Sequence, residues 1–209
     1  MRIALIHALR HSPAPIAAAF AASWPAPRLM NLLDDSLSAD LARDGQLSEA
    51  MTQRFLALAR YAVATDVAAI LFTCSAFGPC IDRVKQEFPQ IPVMRPNEAM
   101  IEEAAAIGGR IGLLASFQAT LASMPAEFPA GVEVRTKLAE GALAALDAGD
   151  GARHDQLAAE AAAELADCDA IALAQFSLAR ARGAVAARSG CRVLTTPDSA
   201  VRKLRALLA

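Results

Sequence analysis

Residues 70–79 have the sequence ILFTCSAFGP, in which a short apolar run is followed by a thiol, small residues and a proline. Apolar runs of this length, bounded by turn-forming residues, are typical of strands buried on both faces. The pattern predicts a buried strand that ends at Cys74 and leads through a turn into a helix near Pro79. A thiol in that place would face the unpaired N–H groups of a helix N-terminus, which favour the thiolate.

The same unit occurs again later in the chain, without the thiol. A shift of 101 residues (167 − 66 = 101) superimposes PNEAM at 96–100 on PDSAV at 197–201, and it also superimposes three single pairs: Asp66 on Asp167, Ile70 on Ile171, and Cys74 on Gln175. RIAL at 2–5 resembles RIGL at 110–113 at a slightly larger shift. The sequence therefore predicts two copies of one structural unit, with an amide in the second copy where the first has a thiol.

Each half of the chain contains four apolar runs separated by helical patterns. The runs are residues 2–7, 29–33, 67–74 and 91–94 in the first half, and 110–115, 132–138, 170–175 and 192–195 in the second. Strands that alternate with helices indicate parallel sheets built from βαβ units. We therefore predict an α/β fold of two pseudo-symmetric lobes, each a short parallel sheet flanked by helices.

The repeat also predicts where the lobes begin and end. The last helix matches the one near residue 97, so we expect it to return to the first lobe. The first lobe would then be residues 1–96 with 197–209, and the second residues 97–196. Because ligands bind outside the carboxyl ends of parallel strands, we expect an active-site cleft between the lobes, lined by Cys74 and Gln175 from opposite sides.

Composition excludes several classes of function. The 209 residues fit one large domain or two compact lobes, and 55% hydrophobic against 20% charged residues argues against disorder. A net charge of −2 without a basic stripe predicts no nucleic-acid or anionic-membrane partner, and no run approaches the ~20 apolar residues of a membrane span. Four cysteines show neither CxxC spacing nor a disulfide framework, which predicts reduced thiols in the cytoplasm: Cys74, Cys80, Cys168 and Cys191.

Three segments resemble the aspartate/glutamate racemase superfamily, including its hydantoin racemase, maleate isomerase and arylmalonate decarboxylase branches. They are TCS at 73–75, IGLLAS at 111–116 with Thr120 following, and TTPDSA at 195–200. With the order of strands, the resemblance covers nearly the whole chain. It implies an enzyme that acts on a small carboxylate, beside the carboxylate or a carbonyl, without metal or organic cofactor, and that forms a homodimer.

The resemblance breaks at the second catalytic position. In the racemases of this superfamily, one cysteine removes a proton from one face of the substrate and a second delivers one to the other face. The resemblance assigns Cys74 to the first role, but the second falls on Gln175, whose amide only donates or accepts hydrogen bonds. His7-Ala8-Leu9 also replaces the polar residues that hold an amino group in amino-acid racemases.

These departures leave three functions open. The first is a cofactor-independent isomerase or racemase-type enzyme that transfers a proton with one thiol, Cys74. The second is a lyase that decarboxylates a malonate-like acid, because that reaction needs a single proton donor. Arylmalonate decarboxylase has its single cysteine at the second position, whereas this chain has its candidate cysteine at the first. The third is a non-catalytic binder of small carboxylates, with Cys74 a buried structural thiol.

Hydroxyls and backbone N–H groups at strand ends are candidates for holding the carboxylate. Ser116 and Ser75 are also suited to cap helices, and the cap and binding roles are compatible. Phe176 and Ser177 are included as candidates because they follow Gln175 in the second copy of the repeat. His7 is included because it ends the first strand. The predicted substrate-binding set is Ser75, Ala76, Ser116, Thr120, His7, Phe176 and Ser177.

The remaining polar motifs predict no further site. His7 and His11 have the i, i+4 spacing of zinc ligands in a helix, but Pro13 and the strand pattern argue against a helix there, so we predict no metal. Glycines at 108–112 precede a strand instead of following one, which excludes a dinucleotide-binding turn. Cys80, Cys168 and Cys191 are interpreted as structural, and His154 as a surface residue.

Overall fold

The structure, a computed structural model, describes residues 1–208. The chain forms two compact units: Met1–Pro96 together with the chain from Ala200 onward, and Asn97–Ser199. Each unit contains a four-stranded parallel sheet flanked by helices, as the sequence predicted. No helix within residues 1–208 combines the length and apolar character that crossing a bilayer requires.

The first unit is built on the strand order β2-β1-β3-β4. Its central strand β1 pairs on both sides, with Ile3 opposite Leu29 and Ala69. The elements are β1 (Arg2–His7), α1 (Pro13–Ser23), β2 (Arg28–Leu33), α2 (Ser36–Asp44), α3 (Glu49–Val63), β3 (Ala69–Phe72), α4 (Gly78–Glu87) and β4 (Val93–Met94).

The second unit has the equivalent order, β6-β5-β7-β8. Ile111 of β5 lies opposite Val134 and Ala170, as Ile3 does between its two partners. The elements are α5 (Glu98–Ile107), β5 (Arg110–Ala115), α6 (Gln118–Ser123), β6 (Glu133–Leu138), α7 (Ala142–Asp147), α8 (Gly151–Ala162), β7 (Ala170–Leu173), α9 (Arg182–Ser189), β8 (Arg192–Thr195) and α10 (Thr196–Leu208).

The inner strands have continuous apolar sequences because both of their faces are buried. All four residues of β3 and of β7 are buried, because helices cover both faces of each sheet. The edge strands β2 and β6 are largely exposed or half-buried and carry charged residues such as Arg135 and Lys137. Charged side chains on an edge discourage pairing with another chain.

Helix α10 begins in the second unit and ends in the first. Its last turn is held within the first unit, where Arg205 Nη1 donates a 3.0 Å hydrogen bond to the Ser23 carbonyl oxygen. The chain thus leaves the first unit after Pro96 and re-enters it at Ala200.

The two strands that carry the candidate positions end at equivalent points. The last ladder hydrogen bonds are donated by Thr73 N–H to the Ile6 oxygen (3.0 Å) and by Ala174 N–H to the Leu114 oxygen (2.9 Å). Cys74 and Gln175 are therefore each the residue that follows the last ladder bond of its strand. Both strands are shorter than the apolar runs suggested, because the chain turns directly after this bond into a 3₁₀ segment.

Candidate functional site

Cys74 lies at the carboxyl edge of the first sheet, in extended backbone (φ −126°, ψ 122°). Its side chain is half-buried. The next three residues, Ser75–Phe77, form a single 3₁₀ turn, and α4 begins only at Gly78. The predicted order of strand, thiol, turn and helix is present, and the turn between the thiol and the helix is a 3₁₀ turn.

Three phenylalanines fix the backbone on both sides of Cys74. Phe72 ends β3 and Phe77 ends the 3₁₀ turn, and both rings pack on Phe55 of α3, with ring centroids 5.4 and 4.9 Å apart respectively. All three side chains are almost completely buried. Because the residues before and after Cys74 are anchored on one ring, the turn that carries the thiol has little freedom to move.

Burial raises the pKa of the Cys74 thiol, while the Ala76 N–H and the Ser38 hydroxyl act in the opposite direction. The prediction that a helix terminus lowers this pKa is therefore wrong. The helix dipole weakens within a turn, and the 3₁₀ segment separates Cys74 from α4, so desolvation is the larger effect. The thiol is protonated at neutral pH, with two groups nearby that can stabilise the thiolate when it forms.

Ser38 is a site residue that the sequence did not reveal. It lies on α2, and its hydroxyl donates a 2.7 Å hydrogen bond to the Ala8 carbonyl oxygen. A hydroxyl carries one proton, so stabilising a thiolate requires this proton to rotate from Ala8 toward Cys74. Nothing in the local sequence marks Ser38, because its partners lie on other elements of the first unit.

Replacing Ser38 by alanine is expected to raise the pKa of Cys74 further. One lost hydrogen bond is worth about 1 kcal/mol, so alkylation of Cys74 by iodoacetamide at a fixed pH should slow about fivefold. The measurement is the labelling rate by peptide mass spectrometry between pH 7 and 10, where the midpoint should move upward. Ser23→Ala removes a comparable hydroxyl-to-carbonyl bond, which lies within α1 and involves no cysteine, and should leave the rate unchanged. An unchanged rate in Ser38→Ala would contradict the assignment.

His7 ends β1 and is fully buried. Its Nε2 lies 3.0 Å from Asn31 Oδ1 and its Nδ1 lies 2.8 Å from Thr73 Oγ1. Burial lowers the pKa of His7, and the bond to Asn31 partly opposes this, so the ring is neutral. Because the Asn31 oxygen only accepts, Nε2 carries the proton and Nδ1 accepts from the Thr73 hydroxyl. Both nitrogens are thus engaged within the first unit, and a ligand would have to displace one of these partners.

Gln175 occupies the equivalent edge of the second sheet, again in extended backbone (φ −136°, ψ 147°). Its Oε1 accepts two hydrogen bonds from Ser116, at 2.6 Å from the backbone N–H and 3.1 Å from the hydroxyl. Ser116 follows β5 directly, and the residue that caps α6 is Phe117, which makes no side-chain cap bond. The interpretation of Ser116 as a helix cap is therefore wrong, because Gln175 takes its hydroxyl.

The other predicted binding residues fall into two groups, half-buried and buried. Ser75 and Ala76 are half-buried in the 3₁₀ turn after Cys74. Thr120, Phe176 and Ser177 are all buried within or beside the second unit's turns. The structure therefore brings Ser116 against Gln175, and Ser75 and Ala76 next to Cys74.

The remaining cysteines are packed in the interior or against backbone. Cys80 is fully buried with its Sγ 3.4 Å from Thr52 Oγ1, and burial raises the pKa of both Cys80 and Cys168. The Cys191 Sγ lies 3.3 Å from the Cys168 carbonyl oxygen. These surroundings agree with structural roles.

His154 is fully buried, so its prediction as a surface residue is wrong. It shares one face of α8 with Ala158 and Ala162, at the i, i+4 spacing that defines a buried helix face. Its Nδ1 lies 2.7 Å from Asp155 Oδ1, which also accepts from Arg180 Nε. The alanine spacing was the signal that could have found this burial.

Comparison with known proteins gives the fold and the family. A glutamate racemase from Francisella tularensis in complex with D-glutamate is 19% identical, with a TM-score of 0.73 over 99% of this chain and 80% of that chain. An allantoin racemase from Klebsiella pneumoniae is 16% identical, with a TM-score of 0.75 over 100% and 87% of the two chains. A glycine-to-cysteine mutant of arylmalonate decarboxylase with associated sulfate is 18% identical, with a TM-score of 0.67 over 98% and 92%.

These similarities show a shared fold. No protein with a curated function matches the sequence. The sequence profile of the Asp/Glu/Hydantoin racemases, in contrast, matches residues 6–204, which include both units and both candidate strand edges. The chain therefore belongs to the Asp/Glu/hydantoin racemase family.

Proposed function

We propose that this protein is a cofactor-independent racemase- or isomerase-type enzyme that transfers a proton at the carbon beside the carboxylate or carbonyl of a small acid. The observation that carries the proposal is the position of Cys74, directly after the last ladder bond of β3, beside a rigid turn and with the Ala76 N–H and the Ser38 hydroxyl available to its sulfur. Membership of a racemase family supports the same class of reaction.

In the proposed reaction Cys74 first loses its own proton to solvent water and then acts as a base. The thiolate takes the α-proton, so that the C–H bond breaks and an S–H bond forms, while the electron pair moves onto the carboxylate or carbonyl oxygen. The backbone N–H groups of Ser75 and Ala76 are suited to stabilise negative charge there. The reverse step returns a proton from sulfur to carbon.

The resemblance to racemases gives the role of the second proton donor to position 175, where this chain has an amide, and inversion is therefore slow in this scheme. Inverting the centre requires a proton from the opposite face, and an amide does not supply one. We therefore expect Cys74 to exchange the α-proton with solvent faster than it racemises the acid. Substrates to test first are those that the structural relatives act on or bind, D-glutamate and allantoin.

Decarboxylation is a second candidate, favoured by one specific observation. Burial raises the pKa of Cys74, so the sulfur carries a proton at neutral pH. Loss of carbon dioxide from a malonate-like acid generates the same enediolate, which needs one proton and no base. A protonated thiol is the group that such a reaction needs, and arylmalonate is the acid class to test.

Incubation of the protein with these compounds in heavy water separates the candidates. Deuterium at the α-carbon without carbon dioxide supports proton transfer, and carbon dioxide with one deuterium per product supports the lyase. Both are read by proton NMR and gas analysis. A protein that binds an acid with the same affinity after Cys74→Ala, and shows neither exchange nor carbon dioxide, would be a binder and the proposal would be wrong.

Two further properties belong to the proposal. The four free cysteines favour a reducing compartment, and we propose the cytoplasm. The resemblance to racemases favours a homodimer, which light scattering of the purified protein will test.

A further inference from the structure

We call the residues that follow the carboxyl end of β7 the second strand edge. A pair of hydrogen bonds there determines how the Gln175 side chain is oriented. Its Oε1 accepts from both the backbone N–H and the hydroxyl of Ser116, at 2.6 and 3.1 Å. An amide oxygen has two lone pairs, so these two bonds use its accepting capacity. The reverse orientation would place the amide NH₂ against a backbone N–H, which cannot accept. The chemistry of Ser116 therefore assigns the oxygen and nitrogen of this amide.

In this orientation the amide nitrogen of Gln175 is the part of the side chain that has no hydrogen-bond partner among the described residues. Within residues 1–208 Nε2 makes no hydrogen bond, and it is not among the buried polar atoms that lack a partner. The side chain is half-buried and Nε2 is not fully buried, so the NH₂ group remains accessible while the oxygen is held by Ser116. A donor held in one direction recognises acceptors better than a mobile one, since less side-chain entropy is lost on binding.

We propose that Gln175, positioned by Ser116, is the specificity-determining residue of the second strand edge. Its amide nitrogen selects small acids that carry a second acceptor oxygen, such as a carboxylate, carbonyl or hydroxyl, and excludes acids that carry an ammonium group there. An ammonium offers only donors, so it would meet the Gln175 N–H groups without an acceptor between them. This inference rests on the proposed function, whose substrate is a small acid.

The assignment also changes the role of Ser116. The sequence suggested that its hydroxyl and N–H hold a substrate carboxylate directly, but both donors are occupied by Gln175. Ser116 is therefore a positioning residue, acting on the ligand through the amide. The competing possibility is that Gln175 merely fills an anion site on Ser116 and leaves when the ligand arrives. The two differ in what removing the amide does to affinity.

Binding of three small acids that share one carboxylate and differ in the group at the far end tests the proposal. Succinate has a carboxylate at the second position, propionate has no polar group there, and β-alanine has an ammonium. Affinities are measured by NMR titration in the Cys74→Ser background, so that no turnover is involved. The wild-type amide should give succinate about tenfold or more tighter binding than propionate, with β-alanine weakest.

Variants at the two residues give the decisive comparison. Gln175→Met keeps the size of the side chain without hydrogen bonds and should lower succinate affinity about tenfold while changing propionate less than twofold. Gln175→Glu keeps an acceptor for Ser116 but presents an anion, and should reverse the order in favour of β-alanine. Ser116→Ala should weaken succinate binding by a smaller factor, because the amide remains but is no longer held. Thermal unfolding confirms that each variant is folded.

Specific outcomes would overturn the proposal. Tighter succinate binding by Gln175→Met would show that Gln175 is a displaceable occupant of the Ser116 site. If the three acids bound in the same order of affinity to the Gln175 form and to Gln175→Glu, the amide would not be the group that selects ligands. Absence of binding of any of the three acids to the Gln175 form would lead to the same conclusion. Because binding is measured without Cys74, this failure is distinguishable from failure of the proposed reaction, which appears as missing deuterium exchange in the protein with its thiol intact.

Discussion

Replacing Cys74 by serine should lower the rate of α-proton exchange by about 10²–10⁴-fold, the usual contribution of a positioned acid–base group. The hydroxyl is close in size to the thiol but gives up its proton far less readily, so the turn keeps its structure while proton transfer is lost. The measurement is deuterium incorporation by NMR on the acid that exchanges in the heavy-water assay. Unfolding midpoints of the two proteins should agree closely.

Cys191→Ala provides the matched control. Cys191 is also half-buried, but it lies directly before β8 and not after a strand, and its sulfur lies against backbone carbonyl oxygens. Exchange in this variant should equal that of the parent. If Cys74→Ser retained full activity, or Cys191→Ala lost it, Cys74 would not be the acid–base group.

The pH dependence of the reaction follows from the direction of the Cys74 pKa. Burial raises this pKa, so the thiolate fraction at neutral pH is below that of a free cysteine and grows as the pH rises. A reaction in which the thiolate is the base therefore accelerates with pH until the raised pKa is passed. A decarboxylation that needs the protonated thiol is level at neutral pH and slows above that pKa. The sign of the slope thus distinguishes the two candidate reactions.

Replacing Phe55 by alanine should lower the free energy of unfolding of the first unit by about 3–5 kcal/mol, the usual cost of deleting a buried aromatic ring. Phe55 is almost completely buried and contacts both Phe72 and Phe77, so its loss leaves a cavity under the turn that carries Cys74. Trp24, the sole tryptophan of the chain, lies in the first unit, so its fluorescence in a urea titration reports this unit.

Tyr61→Ala is the control on the same helix. Tyr61 also lies on α3 but is 60% exposed, so its removal should change the unfolding free energy by no more than about 0.5 kcal/mol. Equal effects of the two substitutions would mean that the three phenylalanines do not support the turn. The Phe55 variant should also let iodoacetamide reach Cys74 faster, since the turn loses its anchor.

Much of the architecture was predictable because it depends on local patterns. The buried runs of β3 and β7 were recognisable because both faces of these strands are covered, so every residue must be apolar. The shift of 101 residues that relates Cys74 to Gln175 corresponds to equivalent last ladder bonds at Thr73 and Ala174. Errors of boundary arose where the chain turns, since a 3₁₀ segment has no periodic signal of its own.

What the sequence determined by itself was the two-copy α/β fold, the family, and the identity of the residues that follow the last ladder bond of each strand, a thiol and an amide. Only the tertiary structure decided the state of those groups. Ser38 and Cys74 lie on different elements, and Ser116 and Gln175 are 59 positions apart, so neither contact has a local signature. The pKa of a thiol depends on desolvation by every neighbour that packs around it, and an amide's orientation depends on its hydrogen-bond partners. Both are set by residues that folding alone brings together.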